Sequence, residues 1–183
     1  MAAVSKVNTR TLVLTALFIA LSLVGSYIKI FGSIAFDSLP GFLAALLIGP
    51  IHGAAIGFLG HILSALTSGF PLSLPLHLVV AVTMAITMLG FGYTFKALKN
   101  KVSDTINLAL TSVIGTILNG PVSLTFSMVT LALMAGKEAA FGLLPLLPIL
   151  TLASIANIVI ADLLYVSIGK VWKVQTIKNN KRD

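Results

Sequence analysis

The sequence predicts an all-α integral membrane protein with six transmembrane helices. Three observations carry that reading. First, 57% of the 183 residues are apolar and only 9% are charged, with a mean hydropathy of +1.06. A soluble domain has about a quarter of its residues charged, and this chain cannot supply such a surface. Second, the apolar runs are continuous rather than alternating, which excludes a membrane β-barrel. Third, the basic residues gather at the ends of the runs, where they orient a chain in a bilayer. The net charge of +7 is therefore read as a topology signal, and nucleic acid is not an expected partner. With no cysteine, disulfides, thiol catalysis and thiolate metal sites are excluded.

The elements follow in order. The first span covers Leu12 to Ile30, after Lys6 and Arg10. It follows the N-terminus with no A-x-A-like cleavage site in a polar context, so it is read as a span and not a signal peptide. Ala16 and Ala20 lie four residues apart on one face. With Thr15 and Gly25 they would form a smooth seam, suited to docking within the bundle or on another subunit. The second segment, Gly41 to Ile48, is too short at ~1.5 Å per residue to cross a ~30 Å core. It is either a short span in a thinned bilayer or a segment buried in protein. A Gly49-Pro50 turn leads into the third span, Ile51 to Leu66, where Gly49, Gly53, Gly57 and Gly60 invite close helix approach. The fourth span runs from Leu76 to Phe95 and ends in a basic cluster. The fifth starts at Asp104, with Ser103 as N-cap, and continues to Met134 with a kink at Asn119-Gly120-Pro121. The sixth runs from Pro148 to Ile168. Residues 1–172 are read as one domain and 173–183 as a basic cytoplasmic tail that frays.

Charge tests the count. Six spans put Lys6, Arg10, Lys96, Lys99, Lys101, Lys170, Lys173, Lys178, Lys181 and Arg182 on one side, and Lys29 and Lys137 on the other. Both termini are then cytoplasmic. The connectors Gly32 to Pro40, Thr67 to His77 and Gly136 to Pro145 meet on the outer face.

Polar groups at membrane depth usually face the bundle interior or a wet cavity. Asn119 is the leading binding candidate, since its amide offers donors and an acceptor. The alternative is that it bonds across helices and shapes the kink. His61, with Ser64 and Thr67 near its face, either contacts a ligand or packs. His77 begins the fourth span after a Pro-rich loop and is read as a lid contact or an interfacial cap. Asn157 joins the same candidate pocket. Lys137 would face a ligand carboxylate or stay solvated beside Glu138. Asp37 is placed with the binding residues, or pairs with Lys29 or Lys137. His52 lies by the cytoplasmic turn, away from substrate. Asp162 is read as structural, satisfied by Arg10 or a polar neighbour, with a proton relay as the alternative. No H-E-x-x-H, G-x-S-x-G or P-loop pattern occurs, so neither an enzyme nor an ATPase is expected. No metal site and no bound cofactor are expected either.

Six spans in a short chain, the A-x-x-x-A element at Ala16 and Ala20, and the stretch FDSLPGFLAALLIGP…GFLGHILSALTSGFPLSLPLH with the later GTILNGP resemble a known family. The chain is similar to S components, the substrate-binding membrane subunits of energy-coupling factor (ECF) vitamin transporters, and most like the pantothenate-type members. The resemblance implies a riboflavin-transporter-like bundle in a prokaryotic plasma membrane. It implies capture of a vitamin from outside under loop lids, with His77 in a lid and Asn119 in the pocket. It also implies docking through Ala16 and Ala20 on a membrane coupling subunit (the T component) driven by two cytoplasmic ATPases. Pantothenate is the expected vitamin. Pyridoxine, hydroxymethylpyrimidine, a cobalamin-type ligand, or a stand-alone proton-coupled carrier using Asp162 are the alternatives.

Overall fold

The computed structural model describes residues 9–30 and 34–179, with side chains described for 9–28 and 36–169. The order is α1 (Thr9–Ser26), β1 (Lys29–Ile30), β2 (Ile34–Ala35), α2 (Leu39–Leu47), α3 (Pro50–Thr67), α4 (Leu74–Leu98), α5 (Asp104–Ile117), a π-helical segment (Leu118–Val122), α6 (Ser123–Ala135), α7 (Lys137–Phe141) and α8 (Leu146–Asn179). The two strands form a minimal antiparallel hairpin in a connector that the sequence reading treated as loop. The backbone of α8 stays helical through Asn179, past the point where fraying is expected.

Among the described residues, five helices are long and apolar enough to cross a bilayer. The sixth segment, α2, has nine residues and spans about 13 Å at 1.5 Å per residue. Nearly all of it is buried, with Phe42 and Ala44 fully so. Of the two readings the sequence left open for this segment, burial in protein is the one observed. A helix this short tolerates membrane depth because protein, not lipid, surrounds it.

The glycines explain how α2 fits. Gly49, at φ 112°, makes the turn into α3, whose first residue is Pro50. A Cβ on Gly53 would lie 2.7 Å from Ala45 Cβ, and one on Gly41 would lie 3.4 Å from the Gly57 backbone nitrogen. The pairs 45/53 and 41/57 define an antiparallel hairpin whose backbones touch. A Cβ on Gly60 would instead meet Ser22 of α1, at 2.6 Å. The small residues thus serve different neighbours and do not form one seam.

The core forms where α2, α4 and α8 meet. Phe42 and Phe91 pack edge to face at 4.9 Å, with Met88 and Ile158 fully buried beside them. Inside α5, Asn107 is buried, donates to the Phe95 carbonyl at 3.0 Å and accepts from Thr111 at 3.2 Å. This pairing secures α5 to the end of α4. The expected kink is present as the π-helical segment, with Pro121 inside it. Pro121 has no N–H to give, and the looser π turn absorbs the missing bond.

On α1, Ala16 and Ala20 are exposed, so neither packs inside the bundle. The smooth seam is only partly formed. Thr15 turns inward to bond His52 at 3.1 Å. Gly25 is buried against the Phe36 carbonyl.

Candidate functional site

A cavity of about 190 Å³ sits beneath the three connectors. It lies at the opposite end of the bundle from Arg10, Lys96 and Lys99, since it is built on the C-terminal end of α3 and the N-terminal end of α4. Each connector contributes. Asp37 and Ser38 come from the first, Pro71 and Leu72 from the second, and Leu143 from the third.

The spans supply the rest through helical spacing. Asn119, Ser123 and Ser127 recur every four residues, so the π-helical segment and α6 present one polar stripe. Ser154 and Asn157 are three apart on α8 and face it. Leu76, Val80 and Met84 give the apolar stripe of α4, and Leu146, Leu150 and Ala153 that of α8. The result is a pocket with a band of hydroxyls, amides and imidazoles set in hydrocarbon. Lysine and arginine are absent from its lining among the described residues.

The polar side chains are held by one another. The Asn119 amide donates to Ser154 Oγ at 2.9 Å, and Ser154 donates to the Leu150 carbonyl at 2.8 Å. Thr83 and Ser123 share a 2.8 Å bond that ties α4 to α6. Asp37 Oδ2 lies 3.3 Å from His61 Nδ1, His61 Nε2 lies 3.1 Å from His77 Nδ1, and His77 Nε2 reaches the Pro71 carbonyl at 2.8 Å. The imidazoles lie 5.3 Å apart, tilted by 31°, and Phe70 packs edge-on against His77 at 5.9 Å. The loop that brings Pro71 in is strained. Phe70 and Leu72 have φ of 50° and 73°, each costing about 1–2 kcal/mol for a non-glycine residue.

Of the residues singled out from sequence, Asn119, His61, His77, Asn157 and Asp37 line this cavity together. Ser64 does not. It is buried in the last turns of α3, where its carbonyl accepts from Thr67 and Ser68, and His61 one turn earlier is the α3 side chain that reaches the cavity. Lys137 does not either. It begins α7 and is exposed, where its ammonium keeps its hydration, and Leu143 is the third connector's contact. Asp37 pairs with His61 rather than with Lys137, and the Lys29 side chain lies outside the described residues. Asp162 is away from the cavity and accepts from Ser112 at 2.6 Å. A polar helix neighbour thus satisfies one of its oxygens. Ser123, Ser127 and Ser154 were missed. Their four-residue and three-residue spacing to Asn119 and Asn157 was visible, but single serines in apolar helices are common and carry little signal alone.

The family described as the substrate-specific component of ECF transporters matches residues 10–169. The chain belongs to this family. A curated relative, the probable tryptophan transport protein of Clostridium acetobutylicum, is 25% identical over 175 residues, which cover 92% of this chain and 97% of the relative. A solved structure, described as the S component of a bacterial ECF transporter, superposes with a TM-score of 0.63 at 20% identity, over 90% of this chain and 98% of the other. At that identity the likeness is one of fold. S components are transport subunits that work with a T component and ATPases, so this multi-pass membrane protein is a substrate-specific transport subunit. The named relative does not carry the pantothenate expectation.

Proposed function

We propose that this S component captures a small solute of no net charge from outside the cell, in the cavity under its three connectors. A planar heterocycle bearing hydrogen-bonding groups, of the tryptophan or pyridoxine kind, suits it best. The observation that carries this is the lining itself: polar groups set in hydrocarbon, with Asp37 in contact with His61 and no lysine or arginine among the described residues. Burying an unbalanced ligand carboxylate there would be costly. The apolar stripes of α4 and α8 offer a ring its surface, and Asn119, Ser127 and Asn157 offer hydrogen bonds. The curated relative's name supports an aromatic amino acid. A cavity of about 190 Å³ is too small for a cobalamin-type ligand.

Pantothenate is the second reading, favoured by the resemblance of the Phe36 to His77 stretch and of GTILNGP to pantothenate-type S components. It loses one of the two partners expected for its carboxylate, because Lys137 is outside the cavity; the side chain of the other, Lys29, lies outside the described residues.

Orientation follows from charge. The Arg10, Lys96 and Lys99 end is cytoplasmic by the positive-inside rule, which sets the cavity outside. Ala16 and Ala20, exposed on α1, form the face that meets the T component.

The test is mass spectrometry of the ligand that co-purifies, followed by calorimetry against tryptophan, pyridoxine, hydroxymethylpyrimidine and pantothenate. Tight binding of tryptophan or pyridoxine with no heat from pantothenate is the expected result. Tight binding of pantothenate alone would overturn the neutral-solute reading.

A further inference from the structure

The three contacts of the file Asp37–His61–His77–Pro71 each hold one hydrogen. The Pro71 carbonyl can only accept, so His77 Nε2 carries a hydrogen and donates across 2.8 Å. The 3.1 Å contact between His61 Nε2 and His77 Nδ1 holds one hydrogen, so one of the two rings keeps a lone pair there. The last contact, His61 Nδ1 to Asp37 Oδ2 at 3.3 Å, holds one proton between a base and a carboxylate. Every contact is satisfied and the set has no net charge. Protonating both imidazoles removes the last lone pair between His61 Nε2 and His77 Nδ1. It would set two N–H groups facing each other between two cationic rings.

We propose that Asp37, His61 and His77 are positioning residues that form a proton-dependent latch, holding the Pro71 loop over the substrate cavity and releasing it when both imidazoles are protonated. The loop needs such a hold. Phe70 and Leu72, on either side of Pro71, both sit at positive φ, a conformation that persists only where surrounding contacts enforce it. The bond from His77 to the Pro71 carbonyl is the side-chain contact that does so from α4. The titratable groups facing the latch are Asp37 from the first connector, His61 from α3 and His77 from α4. The α6 and α8 walls present neutral Asn119, Ser123, Ser127, Ser154 and Asn157, so nothing else among the described residues supplies or absorbs the proton there. Acidification would then open the pocket and shed solute at the outer face. The latch deepens the reading of this cavity as the substrate site, but its test needs no substrate.

The chain contains no cysteine, so a single reporter thiol is free of background. Ser127→Cys places one on the cavity wall. The full chain in proteoliposomes, with no ligand added, is treated with a hydrophilic maleimide from about pH 7.5 to about pH 5, across the ordinary histidine range. Each rate is divided by that of His77→Gln carrying the same cysteine, so thiol ionisation cancels. The glutamine amide keeps an N–H for the Pro71 carbonyl and does not titrate. The ratio should rise at least about fivefold on acidification, as the open fraction grows. His77→Phe keeps the ring but has no N–H, and should label fast at both pH values. A flat ratio, or a His77→Phe chain that labels as slowly as the parent at neutral pH, overturns the latch. Should His77→Phe fail to fold, the ratio against His77→Gln still decides. Because no ligand is used, failure here leaves the substrate reading to stand or fall on the calorimetry.

Discussion

Gly25→Ala should loosen the lid from a site that never touches it. A Cβ at Gly25 would lie 2.4 Å from the Phe36 carbonyl oxygen and 3.0 Å from its carbon. Carbon–oxygen contacts settle at about 3.3–3.6 Å, so the first connector must retreat by about 1 Å. The connector is pinned at that point, because the Phe36 N–H also donates to the Gly25 carbonyl at 3.2 Å. Asp37 is the next residue, and its 3.3 Å contact with His61 is already at the limit of hydrogen bonding. A further 1 Å removes it. Overpacking of this kind costs about 1–3 kcal/mol, which corresponds to about 5–150-fold in a two-state population. Labelling at Ser127→Cys near neutral pH should therefore accelerate within that range in the Gly25→Ala background. Gly169→Ala is the matched control, since an added Cβ there meets nothing within 4 Å. A circular dichroism melt accompanies both, to separate lid opening from unfolding. If Gly25→Ala folds and labels at the parent rate, either the connector gives way without moving Asp37 or Asp37 does not hold the lid, and the reasoning is refuted.

Two further outcomes follow from the same geometry. Asn119→Ala removes the donor to Ser154 and a polar group of the pocket, so ligand affinity should fall by about 1–3 kcal/mol; an unchanged dissociation constant by calorimetry would take Asn119 out of the site. Ala16→Trp and Ala20→Trp add bulk to an exposed face of α1, so they should spare ligand binding and abolish uptake into proteoliposomes containing the whole transporter. Loss of binding in the detergent-solubilised subunit would show instead that this face packs internally.

Composition and run length alone determined that the chain is helical and lives in lipid. Hydrocarbon leaves the backbone no partner but itself, so a long apolar run has one stable form. The kink at Asn119-Gly120-Pro121 was legible for the same kind of reason: proline lacks an N–H wherever it sits. Five of the pocket residues were legible because a buried imidazole, amide or carboxylate is costly unless it has a use. The tertiary structure decided what depends on distance between elements. The fate of α2 turned on which backbones its glycines meet. The exclusion of Lys137 and Ser64 turned on where α7 and the end of α3 come to rest. Asp37, His61 and His77 are separated by 24 and 16 residues along the chain, and periodicity within one helix cannot relate them. Only the packing of α3 against α4 beneath the first connector brings one carboxylate, two imidazoles and a loop carbonyl into a single file.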